Sequence, residues 1–151
     1  MAEQGREKSA IIVGGGFIGV EIALSLAKIG IKASVLNRRG WIMPRLIDPE
    51  TAEYVENDLR SQGVDVLLNT EGSEFVGDKE VEGLLTTDGR KLTADIYITA
   101  TGVKPSLDLV QNSDIECDTG IIVNQFLQTK YPYIYACGDV AETVERVSGE
   151  R

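Results

Sequence analysis

Ser9-Ala10-Ile11-Ile12-Val13-Gly14-Gly15-Gly16-Phe17-Ile18-Gly19 is the stretch that decides the fold. A short apolar run, Ser9 to Val13, ends directly in glycine, as a strand buried on both faces does. Gly14, Gly16 and Gly19 then take the spacing GxGxxG. Gly14 permits a tight turn out of the strand. Gly16 lets main-chain N–H groups approach an anion with no Cβ in the way, and Gly19 lets the next helix pack closely on the strand. That helix aims its unpaired N–H groups and the positive end of its dipole at the turn. A lone GxGxxG is a weak signal, and its plainer reading is a structural glycine turn. Here it follows a strand and opens a helix, which is the context the anion-binding reading requires.

Working outward, Ile18, Ile22, Leu26 and Ile29 define one apolar helix face, and Gly30 stops the helix. Ile31 to Leu36 reads as a second strand. Asp48-Pro49-Glu50 is a helix start, with Asp as N-cap, Pro at the first helical position and an acid near the positive dipole end. Ala52, Val55 and Leu59 form its stripe, Gly63 closes it, and Val64 to Leu68 is a third strand. Two rounds of strand and helix predict parallel strands with right-handed crossovers. The period then becomes alternating. Glu74–Val76, Val81–Thr87 and Lys91–Thr93, separated by Gly77-Asp78 and Asp88-Gly89, predict an antiparallel meander with a type I′ turn at Asp88-Gly89. Ala94 to Ala100 returns as a buried strand. The fold class is therefore α/β, a Rossmann-like three-layer domain over residues 1–102 with a central parallel sheet and an antiparallel meander. Residues 103–151 form a separate segment. In it we expect a short helix over Pro105 to Val110, strands at Gly120–Val123 and Tyr133–Cys137, and a polar, fraying end from Thr143 to Arg151.

A dinucleotide site of this kind usually takes an acid about 20 residues past the glycines, at the end of the second strand, for a ribose 2′-OH. This chain has Asn37-Arg38-Arg39 there and no carboxylate. Two arginines suit a 2′-phosphate through charge-assisted bonds, which favours NADPH slightly over NADH. The other reading makes Arg38 and Arg39 a solvated basic loop and leaves Asn37 to bind the 2′-OH of NADH. Arg45 joins the cluster if its loop folds back. Trp41 reads as packing before it reads as an adenine contact.

Composition removes several other functions. The chain has 151 residues, 42% of them hydrophobic, with a formal net charge of −9. That charge argues against a nucleic-acid surface. No apolar run approaches the roughly 20 residues of a membrane helix, and Met1 to Lys8 is too polar for a secretory signal, so the expected location is cytoplasmic. There is no histidine, which excludes Ser-His-Asp and Cys-His catalysis and most zinc sites; no metal site is expected. Cys117 and Cys137 read as small apolar packers. Tyr54, Tyr97, Tyr131, Tyr133 and Tyr135 each lack a Lys four residues on, which argues against a self-contained short-chain dehydrogenase.

Gly14 to Glu21, with Ala100-Thr101-Gly102 and Ala136-Cys137-Gly138-Asp139 downstream, resembles the pyridine nucleotide-disulfide oxidoreductase superfamily. The likeness runs from about Lys8 to Glu142 and is to the NADH oxidase, coenzyme A-disulfide reductase and ferredoxin-reductase-like branch. In that family a nicotinamide domain is inserted within an FAD domain. The resemblance implies that Gly14, Gly16, Ile18 and Gly19 bind NAD(P)H, and that Phe17 is an aromatic gate over the flavin. It sets Glu21 near the nicotinamide carboxamide and likens Asn37-Arg38-Arg39 to the basic triplet that selects the 2′-phosphate in thioredoxin-reductase-like members. Thr101-Gly102 would cross back into the flavin domain, which makes residues 103–151 an incomplete, C-terminal remnant of the FAD-binding domain, and Asp139 within it would accept a ribityl hydroxyl of FAD. The plainer readings are a core aromatic for Phe17 and a solvent-facing first-turn acid for Glu21.

The family's first FAD half, its redox-active cysteine and its dimerisation domain have no counterpart in these residues. Met1-Ala2 joined to Glu3 looks like an engineered start, so a truncated piece is expected. It would bind the dinucleotide but not FAD, would not turn over alone, and would use no general acid or base of its own. A non-enzymatic NAD(P)-sensing module is the alternative. The apolar strands of the last segment would dock on the chain's own surface or on a second copy.

Overall fold

The computed structural model describes residues 7–143. The chain divides into two compact units, Met1–Gly102 and Val103–Arg151. Among the described residues no helix is long and apolar enough to cross a membrane.

The first unit has β1 (Ser9–Val13), α1 (Phe17–Lys28), β2 (Lys32–Leu36), α2 (Pro49–Ser61), β3 (Asp65–Leu67), β4 (Gly72–Val76), β5 (Gly83–Thr86), β6 (Lys91–Leu92) and β7 (Ile96–Thr99). Strands β3, β2, β1 and β7 form a parallel sheet in that order, and β4, β5 and β6 an antiparallel one. The strand period of two explains the three layers. Ala10 and Ile12 of β1, Ala33 and Val35 of β2, and Ile96 and Ile98 of β7 pack with Val20 and Ala23 of α1 and Ala52 and Leu59 of α2. The alternate residues Ile11, Val13, Leu36 and Tyr97 pack on Leu84 and Leu92 of the antiparallel sheet. Phe75 meets the Tyr97 ring edge-on, with centroids 5.8 Å apart. Because both faces are covered, β1 and the end of β2 read as continuous apolar runs.

Helix α2 begins as its sequence predicts. Asp48 accepts a bond from the Thr51 N–H at 2.8 Å, and Pro49 occupies the first helical position. That bond holds the Asp48 carboxyl below its usual range. Ala52 and Leu59 are buried, and Glu56 is buried beside them. Its Oε1 accepts from the N–H of fully buried Ile42 at 3.1 Å, and its Oε2 lies 3.6 Å from Arg60.

Helix α1 corrects the face assigned to it. The buried residues are Gly19, Val20 and Ala23, while Ile18 and Ile29 are exposed and Ile22 and Leu26 half-buried. Small side chains let this helix lie close to the sheet, so size rather than hydrophobicity selects the face. The turn at Asp88-Gly89 also differs. Gly89 has φ +85° but Asp88 does not have a positive φ, the Gly89 N–H bonds Thr86 O, and Thr86 N–H bonds Arg90 O. This is a three-residue loop closed by a left-handed glycine, not a type I′ turn. Hydrogen bonds from Arg90 and Thr86 hold the Asp88 carboxyl down to about 2.

In the second unit β8 (Ile121–Ile122) pairs in parallel with β9 (Ala141–Glu142), and a short 3-10 turn spans Gly138–Val140. Pro105 to Val110 forms turns rather than a helix. Tyr133–Cys137 is not a strand. Pro132 has no N–H to give a ladder, and the segment folds back through a single bridge between Gln128 and Tyr135. Tyr133, Ile134 and Tyr135 are exposed. The core here is small, Val110, Ile121, Val123 and Ala136, and Cys117 and Cys137 lie outside it as exposed free thiols. Their reading as packers is corrected accordingly. Of the expected polar end, only Thr143 lies within the described residues.

Substitutions at two positions test this packing. A Cβ on Gly19 would sit 1.9 Å from the Gly14 carbonyl oxygen, so Gly19→Ala should cost about 3 kcal/mol or more, seen as a lowered urea midpoint. Glu56→Ala leaves the Ile42 N–H unpaired and should cost about 1–3 kcal/mol. Glu56→Gln, which keeps an acceptor, should cost less, and equal losses for the two would contradict the hydrogen-bond account.

Candidate functional site

The site is built where parallel strands end. From β1 the chain passes through α1 to β2 on one side, while β7 returns on the other side of β1. The connections diverge at the carboxyl end of β1, the place where open α/β sheets bind ligands. Gly14 N–H bonds Leu36 O at 3.0 Å, and Ala100 N–H bonds Val13 O at 2.8 Å. Three strand ends are thereby tied to one corner.

The glycines of that corner serve different needs. Gly14 has φ +118°, and a Cβ on it would lie 2.3 Å from Ala100 O. Gly19 is required by Gly14 O. Gly15 was not singled out in the sequence, yet a Cβ there would lie 2.8 Å from Asn37 Cβ, and its carbonyl accepts from Met43 N–H at 2.7 Å. The unbroken run of three glycines was the available signal. Gly16 is the exception. Its φ of −81° and ψ of −175° suit any residue, and a Cβ on it would meet nothing within 4 Å. No contact within the protein demands glycine there.

Gly16 is the N-cap of α1, with no side-chain cap bond and no acid in the first turn. First-turn N–H groups of a helix have no intrahelical acceptor, so this end offers donors and positive potential toward open space. Phe17, the first helical residue, is 62% exposed, which overturns the core-aromatic reading. Ile18 and Glu21 are exposed, and Glu21 lies beyond the first turn.

At the end of β2, Asn37 is buried, and its side-chain amide donates to the carbonyls of Arg39 and Trp41. Its main chain bonds Leu67 O and Thr70 N–H, both at 2.9 Å. Asn37 therefore organises the loop that carries the arginines. Arg38, Arg39 and Arg45 are exposed, and Arg38 Nη1 lies 3.9 Å from Glu71 Oε1. Trp41 packs on the core and donates Nε1–H to Ile47 O at 3.3 Å, so it is a packing residue. Thr101 and Gly102 are exposed just past β7, Gly102 with φ +130°. Asp139 is exposed in the 3-10 turn of the second unit. Among the described residues no group of His, Cys, Asp and Glu is placed to hold a metal ion.

Comparison with known proteins places this geometry in a family. A family model described as pyridine nucleotide-disulphide oxidoreductase matches residues 1–149. A nitrite reductase (NAD(P)H) of Bacillus subtilis (strain 168) is 38% identical over 142 residues, covering 94% of this chain and 18% of that protein. An NADH oxidase of Methanocaldococcus jannaschii is 35% identical over 147 residues, covering 95% of this chain and 32% of its own length. The crystal structure of an FAD-dependent pyridine nucleotide-disulphide oxidoreductase from Desulfovibrio vulgaris superposes with a TM-score of 0.87 at 34% identity, over 97% of this chain and 38% of that one. The chain thus spans between 18% and 38% of the length of these three proteins. With its parallel sheet, its glycine corner and a match over nearly its whole length, the chain belongs to the pyridine nucleotide-disulphide oxidoreductase family.

Proposed function

We propose that the first unit binds NAD(P)H with its pyrophosphate against Gly14, Gly16 and the start of α1, and that it serves a flavin-dependent oxidoreductase. The observation that carries this reading is Gly16, a glycine whose Cβ position is open space at an uncapped helix N-terminus. Main-chain N–H groups there can reach an anion that a side chain would hold off. The names of the relatives fit: one is a reductase of NAD(P)H type, one an NADH oxidase, and one FAD-dependent.

When bound, the nicotinamide supplies hydride, and the flavin of the full protein would take it. The residues of this chain supply position. Exposed Phe17, at the head of α1, would shield the nicotinamide side of the site, and Glu21, one turn on, would face its carboxamide. Thr101-Gly102 would lead the chain away toward the flavin, and Asp139 would contribute one hydrogen bond to FAD. On this reading the 151-residue chain binds the dinucleotide, does not retain FAD and does not turn over alone. Arg38 and Arg39 favour the 2′-phosphate of NADPH, with Arg45 in reserve. A cytoplasmic location and pairing with a second copy through Tyr133 to Tyr135 belong to the same proposal.

Two sets of variants test it. Gly16→Ala should change stability by no more than about 1 kcal/mol, since its backbone angles suit alanine and only a helix cap changes. Calorimetric titration of that variant should show affinity for NAD(P)H reduced about tenfold or more; unchanged affinity would sink the assignment. Trp41 fluorescence at matched salt should report tighter binding of NADPH than of NADH by the parent chain. The Arg38→Ala/Arg39→Ala double variant should lose that margin, weakening NADPH about tenfold or more. Equal affinities in the parent chain would refute the NADPH preference alone.

A further inference from the structure

We propose that Glu71 is a specificity-determining residue that restrains the chain's preference for a 2′-phosphorylated dinucleotide by partly neutralising Arg38. The inference rests on the dinucleotide reading above and adds a residue that the glycine motif and the basic triplet do not contain.

Glu71 lies between β3 and β4, 33 positions after Arg38 in sequence, and the fold sets the two side by side. The juxtaposition is made by main chain. Asn37 N–H bonds Leu67 O at 2.9 Å, Thr70 N–H bonds Asn37 O at 2.9 Å, and Asn69 N–H bonds Arg39 O at 3.2 Å. Thr87 N–H bonds Glu71 O at 2.9 Å, which fixes the segment from the antiparallel sheet as well. Thr70 Oγ1 donates to Leu68 O and accepts from Arg90 Nη2. With the backbone fixed at residues 67 to 71, the Glu71 carboxylate falls 3.9 Å from the Arg38 guanidinium.

Arg38 is thus the member of the basic group with an anionic neighbour within 4 Å. Among the described residues Arg39 and Arg45 form no ion pair. A 2′-phosphate drawn to Arg38 must share that guanidinium with Glu71 and meets a like charge beside it. A ribose 2′-OH carries no charge and is spared this repulsion. Both side chains are more than half exposed, so the effect is modest and sensitive to salt. The sign is nonetheless definite: Glu71 lowers affinity for NADPH relative to NADH.

The experiment uses the whole 151-residue chain. Dissociation constants for NADPH and NADH are measured by Trp41 fluorescence at low and high salt, for the parent chain, Glu71→Gln, Arg38→Ala and Arg38→Ala/Glu71→Gln. Glu71→Gln is expected to raise the ratio of NADPH to NADH affinity about two- to fivefold at low salt, with the gain shrinking at high salt. With Arg38 replaced by alanine, adding Glu71→Gln should move the ratio by less than half as much, which a general structural change would not reproduce. If both nucleotides bind and the ratio is the same with Gln at 71, the role of Glu71 is overturned while the dinucleotide site stands. A gain that persists in full without Arg38 also overturns it. If neither nucleotide binds any of the four proteins, the dinucleotide reading itself has failed, and Glu71's role fails with it.

Discussion

The structure depends on how closely backbone approaches backbone at the end of β1. The Gly14 carbonyl faces the position a Gly19 side chain would occupy, and the Ala100 carbonyl faces the position of a Gly14 side chain. These two contacts draw the first turn of α1 and the exit from β7 onto one point. They leave no space for a Cβ at either glycine, and they set the helix axis over the strand end. They position part of what a ligand would meet at this edge: the uncapped amides of α1, the Phe17 ring and the Thr101-Gly102 segment.

A second constraint shapes the neighbouring loop. Asn37 ends β2 and spends its side-chain amide on the carbonyls of Arg39 and Trp41. Gly15 must lack a side chain so that Asn37 can sit where it does. A buried amide that meets its hydrogen-bonding needs locally is a rigid post, and this one holds a loop with three arginines outward. Asn37 is thus part of the scaffold of the basic group, and the arginines, not the asparagine, face solvent.

Much of this was legible in the sequence because the signals are local. The strand–glycine–helix order, the Asp48-Pro49 helix start and the alternation after Phe75 each follow from backbone chemistry within a few residues, and each stands in the structure. What was not legible depended on distant partners. The buried face of α1 is set by the sheet beneath it, which accepts Gly19 and Ala23 and leaves the larger Ile18 and Ile29 outside. Asp88-Gly89 suits two loop types, and the bond between Thr86 and Arg90 decides between them. Tyr133 to Cys137 has strand composition, yet Pro132 and the Gln128 bridge turn it into a fold-back. The sequence gives no sign that Glu56 is buried, because its partner Ile42 lies 14 residues away, and Glu71 has no meaning beside Arg38 until β3 lies next to β2.

The two helix starts differ in how the positive end of each helix is answered. Helix α2 carries an aspartate cap and Glu50 in its first turn, so its own carboxylates answer its positive end. Helix α1 carries neither. A cap or a first-turn acid stabilises a typical helix by up to about 1 kcal/mol each, and α1 forgoes both. Its stability comes instead from Gly19, Val20 and Ala23 packed on the sheet. The uncompensated amides remain available to a ligand. The net charge of −9 does not cancel this field, because exposed charges beyond about 8 Å are largely screened at physiological salt. What an anion brought to this edge would experience is local: uncapped N–H groups at the start of α1 and a basic loop after β2, where Glu71 lies 3.9 Å from Arg38.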